Sequence, residues 1–348
     1  VARFFWGEIE LNYTENNTGS VWITWEDHRR SRVLAKSLSA QYKVIGCKKL
    51  KRIRYFVLCF KTLKYLIAIR PKVVVCQNPS IILNLFLCMM KNRFGFYLVA
   101  DRHTNFAFRY SKSYKFKWVL YRVISNITIR HSDLMIVTNP FLKEFVDCMG
   151  GNGIVLPDKI PALQDPKKKK KLQGQFNIFF ICTFSDDEPF REVLEAANLL
   201  PSDWVIYVSG NYKKANVQPD RVPKNVVLLG FVEEDDYLYY LSSADAVMVL
   251  TTLDYTLNCG AYESVALNKP MVLSYKKTIM SYFDKGAVYV EPVAQSIVEG
   301  IESLFENFET FEKEIKELKC ELELSWKKQF SNIESKIPSL TGDSAGKL

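Results

Sequence analysis

Acid is missing over much of the first third of the chain. No Asp or Glu occurs from His28 to Ala100, while Arg29, Arg30, Arg32, Lys36, Lys43, Lys48, Lys49, Lys51, Arg52, Arg54, Lys61 and Lys64 all fall inside that stretch. Such a body is strongly cationic and suits a polyanionic partner or surface. Histidine is scarce, with three in 348 residues. The eight cysteines (47, 59, 76, 88, 148, 182, 259 and 320) show no CxxC or Cys/His spacing. That pattern argues against a zinc site or a disulfide framework and for reduced thiols in a cytosolic protein. No apolar run reaches the roughly 20 residues that span a bilayer. IILNLFLCMM (81–90) is too short, and Lys61 and Lys64 interrupt the longer run before it. No leader is recognisable, since apolar ARFFW gives way to polar sequence, and the Asn-X-Ser/Thr triplets at Asn12, Asn16 and Asn126 read as chance.

What is present supports a large core. With 48% hydrophobic residues, 24% charged and a net charge of +9, the default expectation is two domains. KKLKRIRYFVLCFKTLKYLIAIRP (48–71) has helical spacing, with Phe56, Cys59, Phe60, Leu63, Leu66 and Ile67 on one face and Lys51, Arg54, Lys61 and Lys64 on the other. A basic helix rich in Phe and Leu suits an anionic membrane surface. Arg54, Phe56, Phe60, Lys61, Leu63 and Lys64 are its candidate membrane contacts; the plainer reading is a core helix with a solvated basic face. Nucleic acid ranks lower, because no helix-turn-helix, RNP or OB signature accompanies the charge.

Two rounds of alternating strand and helix follow one another. The first has strands near 20–25, 42–46, 72–77, 96–100, 134–138 and 153–157, with helices between them. PALQDPKKKKKLQGQ (161–175) breaks every periodicity and reads as a linker. The second round has strands near 176–183, 203–211, 225–232, 245–252, 270–274 and 287–292, then a helix at 293–307 and a charged helix at 311–330. The tail from Pro338 has the composition of disorder. This is an α/β chain of two Rossmann-like, parallel-sheet domains, 1–160 and 176–310, with 311–337 as a closing helix and a ligand cleft expected between them.

The stretch TTLDYTLNCGAYESVALNKPMVLS (251–274) reads as strand, polar loop, short helix and strand. The first N–H groups of a helix lack internal partners and suit a phosphate. Asn258, Cys259 and Gly260 stand at that start, where a side chain on Gly260 is expected to block the phosphate, and Glu263 one turn on could accept ribose hydroxyls. An ordinary loop before a helix is the competing reading.

The ordered series FFICTFSDDEPFREVLEAANLL, VIYVSGN, NVVLLGFV, YLYYLSSADAVMVLTT and LNCGAYESVALNKPMVLS resembles the donor-binding domain of GT-B glycosyltransferases, most closely the family-four type of bacterial surface-polysaccharide assembly. VWITWEDHRRSR, QNP, ADRHTN, IVTNP and IVLPDKIP extend the likeness through the first half. The resemblance implies a nucleotide diphosphate-sugar donor, UDP- or GDP-linked, and no other cofactor or metal. It places the base at Phe231 and Val232, the diphosphate at Asn258, Cys259 and Gly260, and the ribose at Glu263, with Gly210, Asn211, Thr252 and Tyr262 lining the same site. His103 matches a histidine facing the transferred sugar.

Departures are equally readable. Tyr255 stands where the family has a Glu eight positions before Glu263, and Thr183 and Glu188 stand where it has Arg and Lys. Arg191 and Asp254 are the candidate substitutes, and Asp101, His103, Glu26 and His28 are the strand-end candidates for a general base. The DDE at 186–188 reads as a solvated helix start rather than a metal site. The expected function is sugar transfer to a lipid-linked glycan or polysaccharide, in capsule, O-antigen or exopolysaccharide assembly, by a peripheral protein on the cytoplasmic face of the membrane. A transferase with a soluble acceptor and a non-catalytic partner of another transferase are the alternatives.

Overall fold

The computed structural model describes residues 19–47, 53–77, 80–103, 107–163 and 171–338. Most of the lysine run, the tail from 339, Asn12 and Asn16, and parts of the QNP and ADRHTN motifs lie outside these residues. The described chain forms two compact units, one of residues 19–158 with 326–338 and one of Lys159–Ser325.

The first unit holds six parallel strands, β1 (Ser20–Thr24), β2 (Gln41–Val44), β3 (Val73–Gln77), β4 (Tyr97–Asp101), β5 (Leu134–Val137) and β6 (Gly153–Val155), in the order β2-β1-β3-β4-β5-β6. Its helices are α1 (Arg29–Ser37), α2 (Arg54–Ile69), α3 (Ile81–Phe94), α4 (Phe116–His131) and α5 (Pro140–Cys148). Strands β1, β3 and β5 are buried along their whole length, as short unbroken apolar runs in a parallel sheet covered on both faces should be. Register sets Trp22 beside Val75, Val75 beside Val99 and Val99 beside Leu134, and all four belong to one core cluster with Leu34 of α1.

The second unit repeats the design with β7 (Phe176–Phe180), β8 (Trp204–Ser209), β9 (Val226–Gly230), β10 (Ala246–Val249), β11 (Met271–Ser274) and β12 (Ala287–Val290), in the order β12-β11-β10-β7-β8-β9. Alternation feeds two cores: Phe176, Ile178 and Phe180 of β7 join Ala246 and Met248 of β10 on one face, and Phe179 joins Val247 and Val249 on the other. Each fully buried Val, Leu, Ile or Phe contributes roughly 1.5–3 kcal/mol against exposure. Its helices are α6 (Phe190–Ala197), α7 (Glu234–Ser243), α8 (Cys259–Ala266), α9 (Lys277–Tyr282) and α10 (Ala294–Glu306), followed by α11 (Phe308–Lys336).

Helix α11 departs from the sequence expectation. It is longer than 311–330 at both ends, and Ile315, Leu318 and Leu322 pack in the second unit's core while Trp326 and Ile333 pack in the first unit's. Trp326 Nε1 also donates to the Pro157 carbonyl at 3.2 Å. The change of partner comes between Ser325 and Trp326, so the helix serves two cores in turn.

Candidate functional site

Both sheets have a point where strand order reverses, and the carboxyl ends of the strands beside such a point are where open α/β sheets bind ligands. In the second unit that point lies between β7 and β10, and in the first it lies at β1. The loops after β7 and β10 are fastened together by Asp187. Its carboxylate accepts from Thr251 Oγ1 at 2.9 Å, and its carbonyl accepts from the Thr252 N–H at 2.7 Å. Glu188 fastens the first of these loops to itself, accepting from the Thr183 N–H at 2.8 Å, the Ser185 N–H at 2.9 Å and Thr183 Oγ1 at 3.0 Å. Asp187 and Glu188 are therefore internal acceptors, and only Asp186 of the DDE run is an exposed helix-start acid. The departure from the family pattern also acquires a shape: a carboxylate occupies N–H groups where a cationic pair was expected.

Helix α8 starts at the end of the β10 loop. Asn258 precedes it in an extended conformation, makes no side-chain cap, and its Oδ1 is buried without a hydrogen-bond partner among the described residues. The first-turn N–H groups of such a helix have no carbonyl four residues back inside it. Glu263, half-buried on the next turn, accepts a 2.5 Å hydrogen bond from the Tyr237 hydroxyl of α7. Tyr237 holds this carboxylate in place, and no motif in the sequence signalled it.

Two of the expected donor-site residues meet the core. A Cβ at Gly260 would lie 2.9 Å from Ile181 Cδ1 and 3.0 Å from Val249 Cγ2, at an ordinary φ. The glycine thus lets α8 approach the sheet closely, and a side chain there would strike the core under the helix. Tyr262 is also a core residue, its ring packed against Tyr282 and Phe283. Gly210 has a different necessity: at φ +95° its Cβ would sit 2.1 Å from the Cys182 carbonyl oxygen, so backbone meets backbone at the ends of β7 and β8. Asn211 beyond it is exposed, as is Thr252, and Phe231 presents an exposed ring after β9 with Val232 half-buried beside it. Arg191 lies over the Phe190 ring at 5.2 Å, and Asp254 pairs with Lys276 at 3.5 Å. Tyr255 carries φ +63° in the β10 loop and Phe184 φ +56° in the β7 loop. Strained non-glycine residues of this kind concentrate at functional loops.

In the first unit the four base candidates divide by role. Asp101, at the end of β4, is fully buried and receives Arg30 Nε and Nη2 at 3.0 and 2.9 Å. Arg30, from the first turn of α1, also donates to Asp158 at 2.6 Å and to the Leu156 carbonyl at 2.8 Å. Desolvation alone would raise the Asp101 pKa, but Arg30 and then His103 outweigh it and hold the carboxyl well below the usual range. Asp101 is thus a fixed anion and not itself a proton acceptor at neutral pH. His103 Nδ1 lies 3.1 Å from Asp101 Oδ2; a carboxylate only accepts, so Nδ1 carries a proton, and in the neutral ring Nε2 is then the acceptor. His28 packs its ring 4.9 Å from His103, and its pKa is lowered, first by desolvation and then by His103. Glu26 is an exposed acid that receives Arg54 Nη2 at 2.9 Å, which ties a base candidate to a membrane candidate.

Helix α2 exposes much of the apolar stripe that the sequence offered as a membrane contact, and buries a row centred on Thr62. Its buried residues are Leu58, Thr62 and Leu66, while Phe56, Phe60 and Ile67 are exposed, Leu63 is half-buried, and Lys64 sits 4.7 Å over the Phe60 ring. Lys61 donates to the Gly46 carbonyl at 2.8 Å. Of that stripe only Leu66 is fully buried, so most of it does not pack in the core.

No family model matches the chain, and no curated protein matches it by sequence. Solved structures do. HepE from Anabaena, crystallised with UDP and glucose, superposes with a TM-score of 0.70 at 14% identity, over 91% of this chain and 92% of that one. Sucrose-phosphate synthase from Thermosynechococcus elongatus gives 0.64 at 13% identity, over 82% and 79%. A putative UDP-N-acetylglucosamine 2-epimerase from Listeria monocytogenes gives 0.57 at 11% identity, over 85% and 82%. The fold is that of GT-B glycosyltransferases. Because an epimerase structure shares it, the reaction has to be argued from the site.

Proposed function

We propose that the chain is a glycosyltransferase that moves a sugar from a nucleotide diphosphate donor, UDP- or GDP-linked, to a lipid-linked or polysaccharide acceptor in cell-surface glycan assembly. The observation that carries it is the start of α8 at the strand-order reversal, with Glu263 held by Tyr237 one turn inside. Oriented N–H groups stabilise a departing diphosphate, and a fixed carboxylate selects the ribose beside it. Phe231, exposed after β9, is the residue we assign to the base. In the first unit His103 is our candidate base, and Asp101 with Arg30 positions its ring. The outward Phe56, Phe60 and Ile67 of α2, beside Lys61 and Lys64, support attachment to an anionic membrane on the cytoplasmic side.

Replacing Glu263 by Ala is expected to weaken UDP or GDP binding by about 1.5–3 kcal/mol, the worth of a hydrogen bond to a charged group. Titration calorimetry checks it, and unchanged affinity in a folded variant removes Glu263 from the ribose. A second reading has an observation of its own. With Tyr255 in place of a Glu and Glu188 occupying the β7 loop, the chain lacks three family contacts, which suits a non-catalytic partner of another transferase. Nucleotide release from a donor sugar by the purified chain separates the two.

A further inference from the structure

We propose that α4 is a second bilayer-docking helix, so that α2, α3 and α4 together lay one face on an anionic lipid surface. The proposal rests on the membrane reading of α2 and adds a helix to it.

Helix α4 is built inside out for a water-soluble protein. Its buried residues are Ser125, Thr128 and Ile129, while Phe116 (80% exposed), Leu120 (46%), Val123 (50%) and Ile127 (37%) face outward. The spacing of four, three and four residues puts these on one stripe. Helix α2 has the same inversion, burying Thr62 between Leu58 and Leu66 and exposing Phe56 and Phe60. Helix α3 packs on both and exposes Met89. Single exposed apolar residues are ordinary; an outward row on two helices that share a neighbour is not.

Charge chooses the occupant. From His28 to Ser132 the only acid is Asp101, and it is buried against Arg30. Everything this stretch shows to solvent is therefore neutral or cationic, including Lys115, Lys117 and Arg130 around α4. A second copy docked through the same face would set cations largely against cations, since the nearest acids, Glu26 and Asp133, are already paired with Arg54 and Lys91. Nucleic acid would use the cations but leave Leu120, Val123 and Ile127 with nothing to bury them. An anionic bilayer satisfies both, with the apolar stripe at the acyl boundary and the cations at the headgroups. Trp118 stacks on Tyr110 at 3.8 Å, with Lys117 over the indole at 4.8 Å, and Tyr114 is almost fully exposed beside them. Such amphipathic rings concentrate at headgroup level. Among the described residues no helix is long and apolar enough to cross a membrane, so α4 would lie in the interfacial plane.

The test is sedimentation of the full chain with vesicles of phosphatidylcholine alone or mixed with phosphatidylglycerol, at low and high salt. UDP titrations run in parallel. The chain should partition at least tenfold better onto the mixed vesicles. Phe116→Ser with Val123→Ser should lose about tenfold of that while keeping the wild-type melting temperature, since both positions are exposed. Phe56→Ser with Phe60→Ser is the α2 counterpart. If the α4 pair partitions like wild type while the α2 pair is lost, α4 has no docking role and the α2 reading stands. If wild type shows no preference for anionic vesicles, both membrane readings fall. Reversible self-association without vesicles, abolished by the α4 pair, would make a second copy the occupant, and displacement only by duplex DNA or RNA would make it nucleic acid; either overturns the proposal. A chain that answers neither UDP nor, in the same titration, GDP, yet binds vesicles normally, would remove the donor reading alone.

Discussion

Asp101 shows how one residue can look like a base in sequence and act as a fixed counter-charge in the fold. It neutralises Arg30, whose side chain is 3% exposed. Removing one partner of such a pair leaves a buried, under-compensated charge. Asp101→Asn should therefore cost about 3–5 kcal/mol of stability, read from denaturant midpoints. The pH dependence has a definite sign. A carboxyl whose folded pKa lies below its unfolded value of 3.8 contributes stability that is fully present above that value and is lost as pH falls below it. The wild-type midpoint should fall steeply below about pH 4, and the Asn variant should show a shallower fall; parallel acid limbs would contradict the assignment. Gly260 is the reverse case, a residue with a phosphate-site appearance whose smallness serves packing. Gly260→Val should lower stability by roughly 1–3 kcal/mol through overpacking against Ile181 and Val249. A variant that melts like wild type yet loses nucleotide would restore the phosphate-blocking explanation. Cys259, exposed in the same turn, should tolerate Ser, since the expected phosphate contact is its N–H and not its thiol.

At the level of elements, what the sequence displayed was periodicity, and what it concealed was facing. The strand runs FNIF, VVVC and AVMV are short, apolar and bounded by polar loops, which is enough to locate buried parallel strands and hence two rounds of β and α. Helix α9 is six residues long, and the 3-10 turns at 108–110, 212–215 and 219–221 are shorter still, too brief for a helical period to show. Helix α2 was located, but which of its residues form the inner row was not legible. Its apolar residues fill more than one stripe, and only the sheet beneath selects Leu58, Thr62 and Leu66 as the inner one. Tyr237 stayed hidden because its partner, Glu263, is 26 residues away and the pairing exists only once α7 and α8 are packed. The β7 loop offers a test at this scale. Glu188→Ala removes the acceptor for two backbone N–H groups and a hydroxyl, and should cost about 1.5–3 kcal/mol. Hydrogen exchange should show the Thr183 and Ser185 amides losing protection, and protection equal to wild type would mean the loop is held by something else.

For the molecule as a whole, the question is whether nucleotide recognition belongs to one site or to the overall charge. A chain of net charge +9 with an acid-poor first unit will attract any nucleotide to some degree. The proposed donor site, by contrast, would lie in the unit Lys159–Ser325 and would discriminate by base and ribose. The two can be separated by thermal melting against UDP, GDP, CMP and dTDP. A ligand held only by the folded state at 100 times its dissociation constant adds about 2.7 kcal/mol. For a unit of this size that is a rise of roughly 5–10 °C. The donor reading expects one nucleotide, UDP or GDP, to produce such a rise, and expects it to persist near 0.5 M salt, where the screening length is only about 4 Å and diffuse surface attraction has largely vanished. The Glu263→Ala variant should lose the rise, measured against its own unliganded melting temperature, because the carboxylate held by Tyr237 is the expected ribose acceptor. Equal small shifts with all four nucleotides, fading together as salt increases, would assign the response to the cationic surface and leave the start of α8 without a ligand.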